Sequence, residues 1–296
     1  MPVCPVMELI SRASASGYAV GYFESWNLES LQGVVDAAEE TRSPVLIGFN
    51  GEFMSRNGRR ATERLRWYAA LALAAAESAT VPCGLVFNEC SSDEWVRNAI
   101  EAGFGQVMLD DPRATAADFK RRVAALAGYA HAKGVAMEAE VGRLPSGADG
   151  FIDEKENHLT DPEKAARFIR DTGIDILSVS VGNVHVLLEG NQPLKLDYLA
   201  AVRERVDIPL DLHGGTGIPG DSLREAIRMG VAKVCFGTYI KQRYLDAIRK
   251  SLAIDEPNPH KRLGCGGQED LLVAGRLAVK EAVLERIGFL GCCGKA

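Results

Sequence analysis

Short apolar runs rich in β-branched residues alternate with longer amphipathic segments along the whole chain, a pattern of repeated strand-then-helix units. The predicted strands are Tyr18–Phe23, Val45–Gly48, Cys83–Phe87, Gln106–Leu109, Ala136–Glu140, Ile176–Ser180, Leu210–His213 and Lys233–Phe236. Helical spacing is predicted over Leu28–Glu40, Arg60–Ala79, Asp93–Ala102, Ala116–Lys133, Pro162–Asp171, Leu196–Arg205, Ser222–Met229 and Lys241–Leu252. Eight strands, each followed by a helix, predict an α/β fold closed as a (β/α)8 TIM barrel, a single domain over residues 1–296. An open dinucleotide-binding sheet would carry Gly-x-Gly-x-x-Gly after its first strand. That stretch reads Phe23-Glu24-Ser25-Trp26-Asn27, so the open sheet is set aside.

Helix-start chemistry supports the order. Asn27 precedes Leu28-Glu29-Ser30, Ser91-Ser92 precede Asp93-Glu94, and Thr160-Asp161-Pro162-Glu163 joins a cap to a first-turn proline. The irregular segment 143–159, rich in Gly, Pro, Asp and Glu, is expected to be a functional lid. A second irregular stretch, 255–268, leads to a C-terminal helix expected over 269–286.

The balance of 47% hydrophobic and 25% charged residues is that of a soluble globular chain. A net charge of −6 speaks against nucleic acid and anionic membrane as partners. The N-terminus has no basic start, apolar run and small-residue cleavage site, and the apolar stretch Tyr68–Ala76 is too short to span a bilayer. The seven cysteines are odd in number and lack small-scaffold spacing, which reads as reduced thiols in a cytoplasmic protein.

Chemistry in such a barrel sits at the C-terminal ends of the strands. Read in order, those ends carry Glu24, Asn88-Glu89, Asp110-Asp111, Glu140, His185, His213 and Cys235. Any one acid there could be a helix cap or a solvated loop residue. Of five histidines, His158 and His260 lie in polar loops and His131 near a helix end, which leaves His185 and His213 as the metal candidates. Gly182 before His185, and Gly214-Gly215-Thr216-Gly217 after His213, add Gly-rich turns whose N–H groups suit an anion.

The chain resembles the class II, zinc-dependent ketose-bisphosphate aldolases (fructose- and tagatose-bisphosphate aldolases) over nearly its whole length. The resemblance runs through Gly17-Tyr18-Ala19-Val20-Gly21-Tyr22-Phe23, Asn27-Leu28-Glu29, Ser43-Pro44-Val45 and Glu138-Ala139-Glu140-Val141-Gly142-Arg143. It continues in Leu159-Thr160-Asp161-Pro162, Leu210-Asp211-Leu212-His213-Gly214-Gly215-Thr216-Gly217-Ile218-Pro219 and the tail Gly291-Cys292-Cys293-Gly294-Lys295-Ala296. It implies a zinc ion that stabilises the enediolate of a dihydroxyacetone phosphate unit for addition to an aldehyde; a set of two histidines and one carboxylate would also suit manganese or ferrous iron. Two zinc histidines of the family fall on His185 and His213, and an acidic second-position metal contact falls on Glu140. A homodimer or homotetramer is implied as well.

The departures cluster at the substrate. Where the family ends its third strand with His-Leu-Asp-His, this chain has Val86-Phe87-Asn88-Glu89. The proton-transferring Asp has become an amide, and a zinc histidine has become a carboxylate. Glu89 then reads either as a third ligand beside two histidines or as the acid/base itself. The glycine after His185 is Val186, the substrate contact Asn-x-x-Thr reads Cys235-Phe236-Gly237-Thr238, and the usual Asn of the first strand is Glu24. In the lid, Asp149 is the nearest substitute for a family glutamate. The expectation is an aldolase-like lyase of altered specificity acting on a hydroxyketone or sugar phosphate. The alternatives are an isomerase or epimerase using the same enediolate, or a non-catalytic relative.

Overall fold

The computed structural model describes residues 3–148 and 159–296, so Asp149, His158 and most of the expected lid lie outside the described residues. Eight parallel strands close into a barrel: β1 (Val20–Ser25), β2 (Val45–Asn50), β3 (Cys83–Cys90), β4 (Gln106–Leu109), β5 (Ala136–Val141), β6 (Ile176–Val179), β7 (Leu210–Leu212) and β8 (Val231–Phe236). β1 pairs with both β2 and β8, with Tyr22 opposite Leu46 on one side and Cys235 on the other. The barrel is as predicted.

Around it run α1 (Val6–Ser16), α2 (Leu28–Thr41), α3 (Gly51–Ser55), α4 (Leu65–Ser78), α5 (Asp93–Glu101) and α6 (Ala116–His131). They continue with α7 (Pro162–Thr172), α8 (Leu196–Arg203), α9 (Gly220–Arg228), α10 (Thr238–Leu252), α11 (Pro259–Arg262) and α12 (Leu271–Leu290). The expected caps form. Asn27 and Ser30 exchange hydrogen bonds as a capping box on α2, Ser92 accepts from Trp95 N, and Asp161 accepts from Lys164 N ahead of Pro162.

Several boundaries differ from the pattern reading, each for a tertiary reason. α1 was not expected, although Val6, Leu9, Ile10 and Ala13 bury one face at helical spacing and Gly17 stops the helix at φ 69°. Tyr18 and Ala19 therefore precede β1, and the Ala19 N–H is spent on the Leu290 carbonyl. α12 runs past Arg286 because Ile287 and Leu290 are buried, and Asp270 caps its start. Glu24, Asn88 and Glu89 lie within β1 and β3, not beyond them.

Candidate active site

Strand alternation sends every second side chain of the barrel inward. On β3 this rule is broken where it matters. Its register against β4 shifts between Phe87 and Cys90, and Glu89 within that irregularity adopts φ 44°. A bulge re-aims one side chain, so the neighbours Asn88 and Glu89 both line the mouth of the barrel instead of pointing to opposite faces. Asn50, at the end of β2, holds Glu89 there by donating from Nδ2 to Oε2 at 2.6 Å.

The two histidines arrive by different routes. His213 follows directly on β7, with its side chain 1% exposed. His185 is not carried by the end of β6. It forms an isolated parallel bridge with Ser146, in which Pro145 O accepts from His185 N at 2.9 Å and His185 O accepts from Gly147 N at 2.8 Å. The base of the expected lid thus positions this histidine. Buried Asn183 ties the two segments together, its Nδ2 donating to Val179 O and His213 O. Gly214, at φ 68°, lets the chain turn where a Cβ would meet Val184 O at 2.1 Å.

Donor atoms of Glu89, His185 and His213 lie within 4.8 Å of one another. One carboxylate and two imidazoles form a set that suits zinc, manganese or ferrous iron. His213 Nδ1 faces Glu89 Oε1 at 2.5 Å, while Nε2 faces Glu138 Oε1 at 3.0 Å and Asp211 Oδ2 at 3.1 Å. Carboxylates on the far nitrogen hold Nε2 protonated and leave Nδ1 as the ligand atom, the usual support for a metal histidine. The residues fit a divalent ion. Its uptake requires the proton between Nδ1 and Glu89 to leave.

Burial works to lower the His213 pKa, but Cys235, Asp211 and Glu89 outweigh it and hold the ring well above its ordinary value. Burial also lifts the Cys235 thiol, to about 12, so the two carboxylates supply the negative charge at neutral pH. Burial would raise Glu89, yet His213 beside it brings the carboxyl down to about 2. His185 is lowered by burial, against the pull of Glu89, and is ready as a neutral ligand.

Beneath the mouth lies a charge cluster. Lys233 Nζ sits 2.5 Å from Glu138 Oε2 and 3.1 Å from Asp211 Oδ2, with all three side chains fully buried. Gln106 donates to Glu138 at 2.6 Å, and Cys235 Sγ donates to Asp211 at 3.2 Å. Burial raises the Glu138 pKa, whereas Lys233 and His213 hold Asp211 well below the usual carboxylate range in spite of its burial. One layer above Glu138 on the inward face of β5 is Glu140, which accepts from Leu144 N at 3.3 Å and from Ser178 Oγ at 3.4 Å. Burial, with Asp110 adding to it, lifts Glu140 to about 8, and burial with Glu89 lifts Asp110 to about 6.

Of the residues singled out from sequence, Glu24, Asn88, Glu89, His185, His213, Gly214, Thr216, Cys235 and Thr238 line one cleft of about 280 Å³. Gly182 instead packs toward Pro193 and Lys195, and Gly215 faces Cys235 O and Phe236, so neither lines it. Glu140, on the inward face of β5, is not among the residues that line it. Val186 keeps a glycine-like φ of 51° beside His185, so the turn survives without its glycine. Sequence reasoning passed over Asn50, Glu138, Asp211, Lys233 and Lys241. Single charges inside otherwise apolar strands, as in Leu210-Asp211-Leu212 and Ala232-Lys233-Val234, were the available signal.

A family model described as class-II fructose-bisphosphate aldolase matches residues 5–295. The protein YdjI of Escherichia coli (strain K12) is 34% identical over 289 residues, 96% of each chain. A fructose-bisphosphate aldolase of Geobacillus stearothermophilus is 33% identical over 301 residues, 100% of this chain and 99% of that one. The crystal structure of the YdjI aldolase superposes with a TM-score of 0.81 at 31% identity, covering 99% of both chains.

Proposed function

Because the chain belongs to the class II fructose-bisphosphate aldolase family, we propose that it breaks and forms a carbon–carbon bond of a hydroxyketone other than the common sugar bisphosphates. In this reading Glu89, His185 and His213 hold a divalent ion, zinc first, and Glu140 carries the proton. The observation that supports it most is the convergence of those three donor groups at the barrel mouth, with His213 oriented from behind by Glu138 and Asp211. When bound, the ion supplies positive charge to a carbonyl and its adjacent hydroxyl, the chemistry by which this family cleaves its substrates.

The chain's own residues divide the remaining work. Asn88 cannot exchange a proton, but its buried Oδ1 has no hydrogen-bond partner among the described residues and offers an acceptor to a substrate hydroxyl. Glu140, held near 8, is protonated or ionised close to neutral pH, as a proton carrier must be. The resemblance further supports a cytoplasmic homodimer or homotetramer.

The test is a panel of phosphorylated and free ketoses supplied with Zn2+, Mn2+ or Fe2+. Cleavage is expected with at least one ion. Glu89→Gln is expected to lose both ion and activity, whereas Glu140→Gln keeps the ion and loses roughly 100-fold or more in rate. No cleavage with any ion overturns the reading. Deuterium exchange into substrate without cleavage, the outcome that Asn88 would favour, identifies an isomerase or epimerase instead.

A further inference from the structure

Glu24 ends the inward face of β1 and reaches across the cleft to α10, where Lys241 Nζ meets its Oε1 at 2.5 Å. The ammonium also lies 4.4 Å above the Phe53 ring and 5.8 Å from the Trp26 ring, which fixes it on that wall. A Cβ at Gly237 would fall 2.4 Å from Glu24 Oε2, so the carboxylate occupies the space a side chain at 237 would take. It stands at the start of α10, where an anionic substrate group would otherwise seek free N–H groups. The Tyr239 N–H in that first turn is already spent on Thr216 Oγ1, at 3.1 Å. Cys235 has no side-chain amide to offer, and its thiol donates to Asp211.

Among the described residues lining the cleft, Lys241 is the only ammonium or guanidinium, and Glu24 already neutralises it. A phosphate dianion placed here would face the carboxylate of Glu24 with no unpaired ammonium or guanidinium among the described residues lining the cleft to offset it. A hydroxyl meets neither difficulty. It can donate to Glu24 and accept from Lys241 at once, and it brings no charge.

We propose that the end of the substrate lodged against Glu24, Gly237 and Lys241 carries a free hydroxyl and no phosphate, so that the cleft takes an unphosphorylated hydroxyketone. The proposal rests on the aldolase reading above and names its substrate class. Glu24 is the residue that sets this specificity.

Zinc-reconstituted protein tests it by deuterium exchange at carbon, followed by NMR, with dihydroxyacetone and dihydroxyacetone phosphate as paired probes. The wild type is expected to favour dihydroxyacetone at least tenfold in kcat/KM. Glu24→Asn, which restores an amide and frees Lys241, is expected to move the ratio at least tenfold toward the phosphate with zinc content unchanged. A wild-type preference for the phosphorylated probe, or no shift in the variant, overturns the proposal. Calorimetric titration with inorganic phosphate gives a readout that does not need turnover, using the near-isosteric Glu24→Gln should Glu24→Asn fail to fold. Phosphate affinity at least tenfold higher in Glu24→Gln than in wild type supports the proposal, and equal affinity overturns it. If zinc-loaded wild type exchanges neither probe while this phosphate contrast holds, the aldolase reading fails and the assignment of Glu24 stands.

Discussion

Replacing Lys233 with Met removes the ammonium that sits between Glu138 and Asp211 inside the barrel and leaves His213 as the cation facing both. Its ammonium lies 2.5 Å and 3.1 Å from the two carboxylates, and all three side chains are fully buried. At an effective dielectric of about 20, each contact at roughly 3 Å is worth about 5 kcal/mol gross. Desolvation of the three ions returns most of that gain, so the intact cluster adds little net stability. Removing one member is different, because two carboxylates are then left buried and short of charge. Breaking a buried pair in this way costs about 3–5 kcal/mol, or a fall of about 5–8 °C in Tm for a chain of this size. The cost depends on pH with a definite sign. Without Lys233 the folded-state carboxyl pKa values rise above their unfolded values, so the variant is least impaired at low pH and loses stability as pH rises through them. Urea unfolding of wild type and variant at pH 5 and pH 8 reads both quantities. Adding Asp211→Leu removes one of the stranded carboxylates and is expected to recover more than 1 kcal/mol relative to the sum of the single changes. A Lys233→Met cost below about 1 kcal/mol, or the same cost at both pH values, would refute this account of the cluster.

Val186→Gly is expected to stabilise the protein by about 0.5–1 kcal/mol, because a β-branched residue at φ 51° is strained where glycine is not. Chemical denaturation checks it, and a loss of 1 kcal/mol or more would show that the side chain contributes more than the backbone strain removes. Glu140→Gln is expected to stabilise the ion-free protein in a pH-dependent way. The folded carboxyl, near 8, lies above its unfolded value, so wild type loses stability as pH rises from about 4.5 toward 8 while the variant does not. The difference is expected to level off above pH 8 at about 5 kcal/mol, and unfolding curves in chelator at pH 5, 7 and 9 that differ by a constant amount would contradict it.

What the sequence determined by itself was local or periodic. The alternation of apolar runs prescribed eight strands and a closed parallel barrel, and Asn27, Ser92 and Asp161-Pro162 marked helix starts, because a cap acts over three or four residues of its own chain. His185, His213 and Glu89 could be nominated since polar residues at strand ends have few packing explanations. Tertiary structure decided the rest. The bulge that turns Glu89 into the cleft is a register event between β3 and β4, and no pattern within β3 encodes it. His185 is aimed by a bridge to Ser146, 39 positions earlier in the chain. Glu138, Asp211 and Lys233 form one cluster only because strand register brings β5, β7 and β8 to the same depth, and Glu24 meets Lys241 across 217 residues of sequence. Periodicity reports which face of an element is buried. Which buried charges face one another depends on barrel closure, and that is a property of the whole sheet.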